Sequence, residues 1–335
     1  MTRSIYLCYT GGTIGMKRSA QGYKPAPGYL REHLTADTFR ASELPALTLN
    51  EYEPLLDSAE MSPRDWERIA ADIAENYAAF DGFVVLHGTD TMAYTASALS
   101  FILENLAKPV ILTGSQIPLA ELRSDARENL ITSLLLAASA PLAEVCLYFS
   151  GVLLRGNRAR KVSASGFGAF ESPNAPPLGH VGVDIRLESV LLRPAPSGRD
   201  TLRVRPLKPV NVGALRLFPG ISANTLRNVL QEPLQGLVLE TYGSGNAPRN
   251  SELLTVLREA TARGVVIVNC TQCLRGRVEQ LYETGRALTE AGVISGYDLT
   301  PEAALTKLTY LLSTEPGPEA VRARMQQNLR GELTR

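Results

Sequence analysis

The chain has 335 residues, 44% of them hydrophobic and 20% charged, with 34 Lys plus Arg against 34 Asp plus Glu. That is an ordinary globular composition, long enough for two domains. Balanced charge supplies no global field to attract nucleic acid or an anionic membrane surface. The uncharged stretch over 130–143 falls short of a bilayer span and contains Pro141.

Strand and helix signals alternate from the start. Residues 5–9 read as a buried strand that runs into Thr10-Gly11-Gly12-Thr13-Ile14-Gly15. Ser62-Pro63 opens a helix with Ser at the cap and Pro at the first helical position, and Trp66, Ile69, Ala70, Ile73, Ala74 and Tyr77 give it one apolar face. A strand over 83–86 ends in His87-Gly88-Thr89-Asp90-Thr91, and a helix is expected over 91–105. A strand at 110–112, a helix at 124–138 and a strand at 145–149 follow. This alternation predicts a doubly wound, mostly parallel sheet covered on both faces. Residues 191–212, with Pro194, Pro196, Pro206 and Pro209 among arginines, read as an inter-domain connection. A smaller α/β series follows, with strands at 214–217, 237–240 and 265–269 and helices near 222–230, 251–262 and 301–312. The expected organisation is a large α/β domain over 1–190, a linker over 191–212 and a small α/β domain over 213–335.

The N-terminus has one Arg and a short apolar run, too short for a signal-peptide core, which points to the cytoplasm. Cys8 and Cys146 lie in apolar runs and read as small buried hydrophobes. Cys270 and Cys273 form a C-x-x-C without the second ligand pair a zinc site needs and far from the N-terminal unit where a redox motif would sit, so neither metal nor redox chemistry is expected of them.

The two glycine–threonine boxes carry the chemistry. Each follows a strand, at the end of the sheet where α/β folds bind ligands. Glycines let backbone approach a ligand closely, and the threonines bring hydroxyls. Neither box is a dinucleotide fingerprint or a phosphate-binding loop. Taken alone, Thr13 reads as a cap or turn residue, since a threonine hydroxyl needs a base or a polarising network to attack. Asp90 and Thr91 fit a helix N-terminus, but a cap does not account for three side-chain oxygens in a row. Lys161 reads either as part of a basic loop or as a site lysine, and a carboxylate such as Asp90 would hold it charged. Asp57-Ser58 is a turn or a clamp for an ammonium and a carboxylate. His87 reads as a strand-end histidine satisfied by backbone rather than as a base.

Together these segments resemble the bacterial-type L-asparaginases, over essentially the whole chain. The Thr10–Gly15 and His87–Thr91 boxes match the two signature boxes, Tyr23 falls in the mobile loop, and Asp57-Ser58 matches the substrate clamp. Thr113-Gly-Ser115-Gln116, Lys161 and Tyr242-Gly-Ser-Gly-Asn246 match further family segments. The cytoplasmic type I enzymes are the most similar subgroup. The resemblance implies hydrolysis of L-asparagine to L-aspartate and ammonia through an acyl-enzyme, without cofactor or metal. It assigns Thr13 as nucleophile assisted by Tyr23, and Thr89, Asp90 and Lys161 as a second polar triad. Asp57 and Ser58, with Asp90, hold the substrate's α-groups, and Gly12, Gly88 and Ser115 line its site. Asn246 is implied to come from a neighbouring subunit, so a homodimer or homotetramer is expected. Tyr282 or Glu283 is the best candidate for another cross-subunit contact. Ala59 departs from the secreted members, where a glutamine follows the Asp-Ser pair. Glutamine, one methylene longer than asparagine, is a weak secondary substrate on this reading.

Two alternatives stand beside it. One is a non-catalytic asparagine or aspartate sensor that needs the clamp but neither Thr13 nor Lys161. The other is the amidase subunit of a tRNA amidotransferase. A regulatory second site near Cys273, motivated by the polar Thr271-Gln272 segment, is a further expectation.

Overall fold

β1 (Ser4–Gly11) is buried from Ile5 onward, so it needs a partner strand on each side and cover on both faces. The computed structural model describes residues 3–20, 22–34, 44–198, 201–279 and 283–335, with 283 and 284 as backbone. A hairpin, β2 (Met16–Ser19) and β3 (Gly22–Pro25), and helix α1 (Tyr29–Leu34) lead to β4 (Ala46–Leu56), which pairs parallel to β1. Helix α2 (Pro63–Asn76) then carries the chain to β5 (Gly82–Leu86), parallel to β1 on its other side. Helix α3 (Met92–Ile102) stops before the short strand β6 (Leu103–Glu104), three residues earlier than the helix expected to 105. β7 (Val110–Thr113), α4 (Ala126–Ser139) and β8 (Val145–Phe149) extend the parallel sheet.

β9 (Val152–Arg155) turns back antiparallel, and β10 (Arg160–Lys161) pairs with β11 (Phe170–Glu171) in a separate ladder. β12 (Gly179–Val181) and β13 (Ile185–Leu187) complete an eight-stranded sheet in the order β13-β12-β9-β8-β7-β5-β1-β4. From β1 the chain goes first to one neighbour and then to the other. Strand order therefore reverses at β1, and the loops after β1, β4 and β5 open on one crevice. No strand was expected at β4. Its Asn50, Glu51, Glu53 and Pro54 interrupt the apolar pattern, as an edge strand permits.

Packing follows from strand periodicity. Ile5, Leu7 and Tyr9 share one face with Val84, Leu86, Ile111, Cys146 and Tyr148, and pack with Leu130 and Leu134 of α4. Each such apolar side chain contributes roughly 1.5–3 kcal/mol on burial. Helix α2 starts where the sequence placed it: Pro63 occupies the first position, and the Ser62 N–H donates to Asp65 Oδ2 at 2.8 Å.

The chain divides into two units, Met1–Arg205 and Pro206–Arg335. The stretch 191–212, expected as a connection, is therefore part of the first unit up to Arg205. β14 (Arg203–Val204) pairs with β6. Glu104, itself buried, binds Arg203 and, at 3.3 Å, Arg205. Glu144 accepts from Arg155 Nε at 2.6 Å and from the Arg193 N–H at 2.9 Å. Buried carboxylates thus pin a segment whose prolines and arginines look like a solvated linker.

The second unit holds a parallel sheet, β15 (Val212–Arg216), β16 (Gly236–Thr241), β17 (Val266–Thr271) and β18 (Ile294–Ser295), in that order. Its helices are α5 (Ala223–Val229), α6 (Ser251–Ala262), α7 (Glu283–Glu290), α8 (Pro301–Thr314) and α9 (Pro318–Met325). Leu226, Leu237, Leu239, Leu253, Leu257 and Ile267 form its core. Among the described residues no helix is long and apolar enough to cross a membrane.

Candidate active site

Glycine allows three loops to stack at the carboxyl ends of β1, β4 and β5. Gly12, at φ +91°, lies so close to the second box that a Cβ there would sit 2.4 Å from the Gly88 nitrogen. A Cβ on Gly88 would fall 2.3 Å from Ser58 Oγ. The first and second boxes thus pack backbone to backbone, and the Ser58 side chain packs against Gly88. A hydrogen bond joins two loops of the stack, with Thr91 Oγ1 donating to the Ser58 carbonyl at 2.6 Å, and the Leu119 N–H ties the segment after β7 to the first box by donating to the Ile14 carbonyl at 3.0 Å. Thr91 occupies the N-cap position of α3, as expected, but its hydroxyl serves Ser58 instead of capping the helix.

Thr13 begins a single 3₁₀ turn, Thr13–Gly15, with Gly12 as its cap residue, and is half-buried. Tyr23 lies on β3, which runs beside that turn; the side chain is 48% exposed and no hydrogen bond ties it to Thr13. The expected loop is therefore a two-stranded hairpin with the tyrosine on its return strand. Asp57 caps the turn Ser58–Glu60 by accepting from the Ala59 N–H at 3.0 Å; Asp57 is exposed and Ser58 is buried.

A second group forms across β5 and β10. Lys161 Nζ donates to Thr89 Oγ1 at 2.8 Å and to Asp90 Oδ1 at 2.7 Å. A charged donor shared between a hydroxyl and a carboxylate fixes all three side chains and polarises the hydroxyl oxygen. His87 is fully buried between the Gly88 carbonyl, 2.7 Å from Nδ1, and Thr95 Oγ1, 2.9 Å from Nε2. Burial pushes its pKa down from 6.5 to about 4, so at neutral pH it is an uncharged structural group, held by one backbone oxygen and one hydroxyl.

Ser115 is buried at the end of β7, and its Oγ has no partner among the described residues. Sequence reasoning gave no role to its neighbour. Gln116 reaches Thr89 Oγ1 at 3.4 Å and the Gly166 carbonyl at 3.0 Å. Its membership of the Thr113-Gly-Ser115-Gln116 segment at the end of β7 is the signal that marked it.

Asn246 belongs to the second unit, where it forms a β-bridge with Tyr242. Tyr282 lies outside the described residues, as does the side chain of Glu283, whose backbone opens α7. Cys8, Cys146 and Cys270 are buried free thiols, and Cys273 is exposed. The polar groups beside Cys273 are engaged: Thr271 Oγ1 donates to the Gly243 carbonyl at 2.5 Å, and Gln272 Nε2 donates to the carbonyls of Leu217 and Glu240 at 2.6 and 2.9 Å. Among the described residues no group of three or more His, Cys, Asp or Glu side chains could hold a metal ion.

Residues 4–192 match the family described as "Asparaginase, N-terminal", and residues 211–325 match "Glutaminase/Asparaginase C-terminal domain". The chain is 55% identical to L-asparaginase 1 of Escherichia coli (strain K12), over 99% of this chain and 98% of that one. Its fold is similar to that of L-asparaginase I from Vibrio cholerae O1 biovar eltor, with a TM-score of 0.94, 52% identity and 100% coverage of both chains. At a greater distance, it is 33% identical to one component of the glutamyl-tRNA(Gln) amidotransferase of Pyrococcus abyssi, over 97% of this chain and 75% of that one.

Proposed function

This chain belongs to the asparaginase family, and we propose that it hydrolyses the side-chain amide of L-asparagine to L-aspartate and ammonia with Thr13 as nucleophile. The observation that carries the reading is the pairing of two hydroxyl-bearing strand ends, Thr13 and Thr89, in loops stacked through Gly12 and Gly88. The Lys161 ammonium is bonded to the second hydroxyl.

In the first half-reaction the Thr13 oxygen bonds to the amide carbon and the C–N bond breaks. The hydroxyl proton leaves with the nitrogen as ammonia, relayed by Tyr23 from its hairpin. In the second half-reaction water adds to the ester carbon, the C–O bond breaks, and a water proton restores the Thr13 hydroxyl. Asp57 holds the substrate α-ammonium as a charge partner, and Ser58 and Asp90 complete the clamp on its α-groups. Gly12 and Gly88 leave room for close backbone approach, and the buried Ser115 hydroxyl is a further donor toward the substrate. Thr89, Asp90 and Lys161 orient the attacking water. Selection of asparagine over glutamine rests on one methylene, worth roughly 1–3 kcal/mol in a close-fitting site.

Asn246 on this reading comes from a second copy of the chain, which makes the working enzyme a homo-oligomer with sites completed between subunits. A cytoplasmic location accompanies it, supported by four free thiols.

The test is ammonia release by the purified protein from asparagine, with Thr13→Ala lowering kcat by roughly 10³-fold or more. A sensor would instead give calorimetric binding heat with no turnover. An unchanged rate in Thr13→Ala would remove the nucleophile assignment.

A further inference from the structure

We propose that Gln116 is a positioning residue that sets the direction of the Thr89 hydroxyl proton and so makes Thr89 a hydrogen-bond acceptor toward the substrate. The inference rests on the reading above that Thr89 lines the amide site.

Gln116 is held rigidly at both ends. Its backbone N–H donates to both oxygens of Asp125, at 3.1 and 3.0 Å, and the Ile117 N–H adds a bond to the same carboxylate at 3.0 Å. Asn129 Nδ2 secures Asp125 Oδ2 at 3.2 Å and also donates to the Gly114 carbonyl at 3.0 Å. At the other end, Nε2 donates to the Gly166 carbonyl at 3.0 Å. Gly166 sits in the turn between β10 and β11, the ladder that carries Lys161, and its N–H is bonded to Ser163 Oγ at 2.9 Å.

The Gly166 carbonyl decides which way the amide faces. A rotated amide would bring Oε1 and the Gly166 oxygen, two acceptors, to 3.0 Å with no hydrogen between them. Oε1 therefore faces Thr89, at the long distance of 3.4 Å. A threonine hydroxyl has one proton and two lone pairs. Lys161 Nζ occupies one lone pair at 2.8 Å. Oε1 can only accept, so it takes the proton. One lone pair remains, and the Thr89 oxygen can offer a ligand nothing else. It accepts from a substrate amide N–H or from the O–H of the attacking water, and it does not donate to the substrate carbonyl. Loss of the Gln116 acceptor frees the hydroxyl to rotate and donate, which misorients the water.

The experiment compares wild type, Gln116→Leu and Gln116→Glu on asparagine, with thermal unfolding of each. Gln116→Leu is expected to lower kcat roughly 10-fold to 100-fold, with KM within about threefold of wild type and an unchanged unfolding midpoint. Gln116→Glu keeps an acceptor facing Thr89 but loses the donor to the Gly166 carbonyl, so its kcat should fall less than that of the Leu variant, by about tenfold at most. Gln116→Met, unbranched and of similar length, replaces the Leu variant if that one does not fold. Equal kcat in wild type and the apolar variant overturns the proposal, as do equal losses in the Leu and Glu variants. A kcat loss that tracks a lowered unfolding midpoint also overturns it, because that marks a structural role. A wild-type protein that releases no ammonia would defeat the functional reading itself, whereas an active wild type with an indifferent Gln116 defeats only this inference.

Discussion

Two lysine–carboxylate pairs of nearly equal length sit in opposite surroundings. Lys161 lies 2.7 Å from Asp90 in the first unit, with the two side chains 19% and 65% exposed. Lys307 lies 2.6 Å from Glu332 in the second unit, and both side chains are fully buried. The buried pair is completely coordinated. Lys307 also donates to the carbonyls of Met325 and Gln327, at 2.9 and 2.5 Å, and Glu332 accepts the N–H groups of Leu329 and Arg330 at 2.9 and 2.6 Å. Burial alone would raise the Glu332 pKa, but the Lys307 charge and these N–H bonds hold it below the ordinary carboxylate range. The exposed pair shares its lysine with the Thr89 hydroxyl and leaves Asp90 open to solvent. Distance alone does not separate a structural ion pair from one proposed to act in catalysis. Completeness of coordination and access to water do.

The sharpest way to break this contrast is Lys161→Met. It should lower kcat by about 10²- to 10⁴-fold, while stability changes by no more than about 1 kcal/mol because the partner carboxylate is solvated. A large stability loss, read by denaturant titration, would show that this pair is structural too. Glu332→Ala should do the reverse and destabilise the second unit by about 3–5 kcal/mol, since it strands a buried ammonium. An unmoved unfolding midpoint would mean that Lys307 finds water or another partner.

His87 tests whether burial also governs the strand that carries the site. Its folded pKa is lowered to about 4 from 6.5, so the unfolded chain takes up its proton first as pH falls. Its contribution is full above pH 6.5, declines as pH falls toward 4 and levels off below, a change of roughly 3 kcal/mol in all. Denaturant titrations at about pH 7 and about pH 4.5, which bracket most of that window, should show a smaller drop for His87→Gln than for wild type. Equal drops would locate the acid sensitivity elsewhere. The smallest effect is expected at Arg3→Ala, because the Arg3–Asp81 pair at 3.0 Å is 63% and 36% exposed and worth about 0–1 kcal/mol. A larger loss there would weaken the link drawn between exposure and function.

Much of the first unit was legible locally. The apolar runs of β1, β5, β7 and β8 are continuous because these strands are covered on both faces, and helix α2 is announced by Ser62, Pro63 and its apolar stripe. β4 was not legible, because its Glu51, Glu53 and Pro54 break the pattern and its strand identity comes from pairing with β1. Nor was the hold of Glu104 and Glu144 on residues 193–205, since no local rule assigns partners to a carboxylate 49 or 99 residues away in sequence.

What the sequence determined by itself were the pieces: two glycine–threonine boxes at strand ends, an Asp-Ser pair before a capped helix, and a lysine in a basic segment after β8. Glycine content, strand periodicity and capping are local properties, readable within a few residues. Tertiary structure decided their meeting. Strand order placed β1 between β4 and β5, so that Gly12, Ser58 and Gly88 could stack. The β10–β11 ladder brought Lys161 to a hydroxyl 72 residues earlier, and the Gly166 turn to Gln116. Parallel pairing is non-local, and only the finished sheet determines which loops share a crevice.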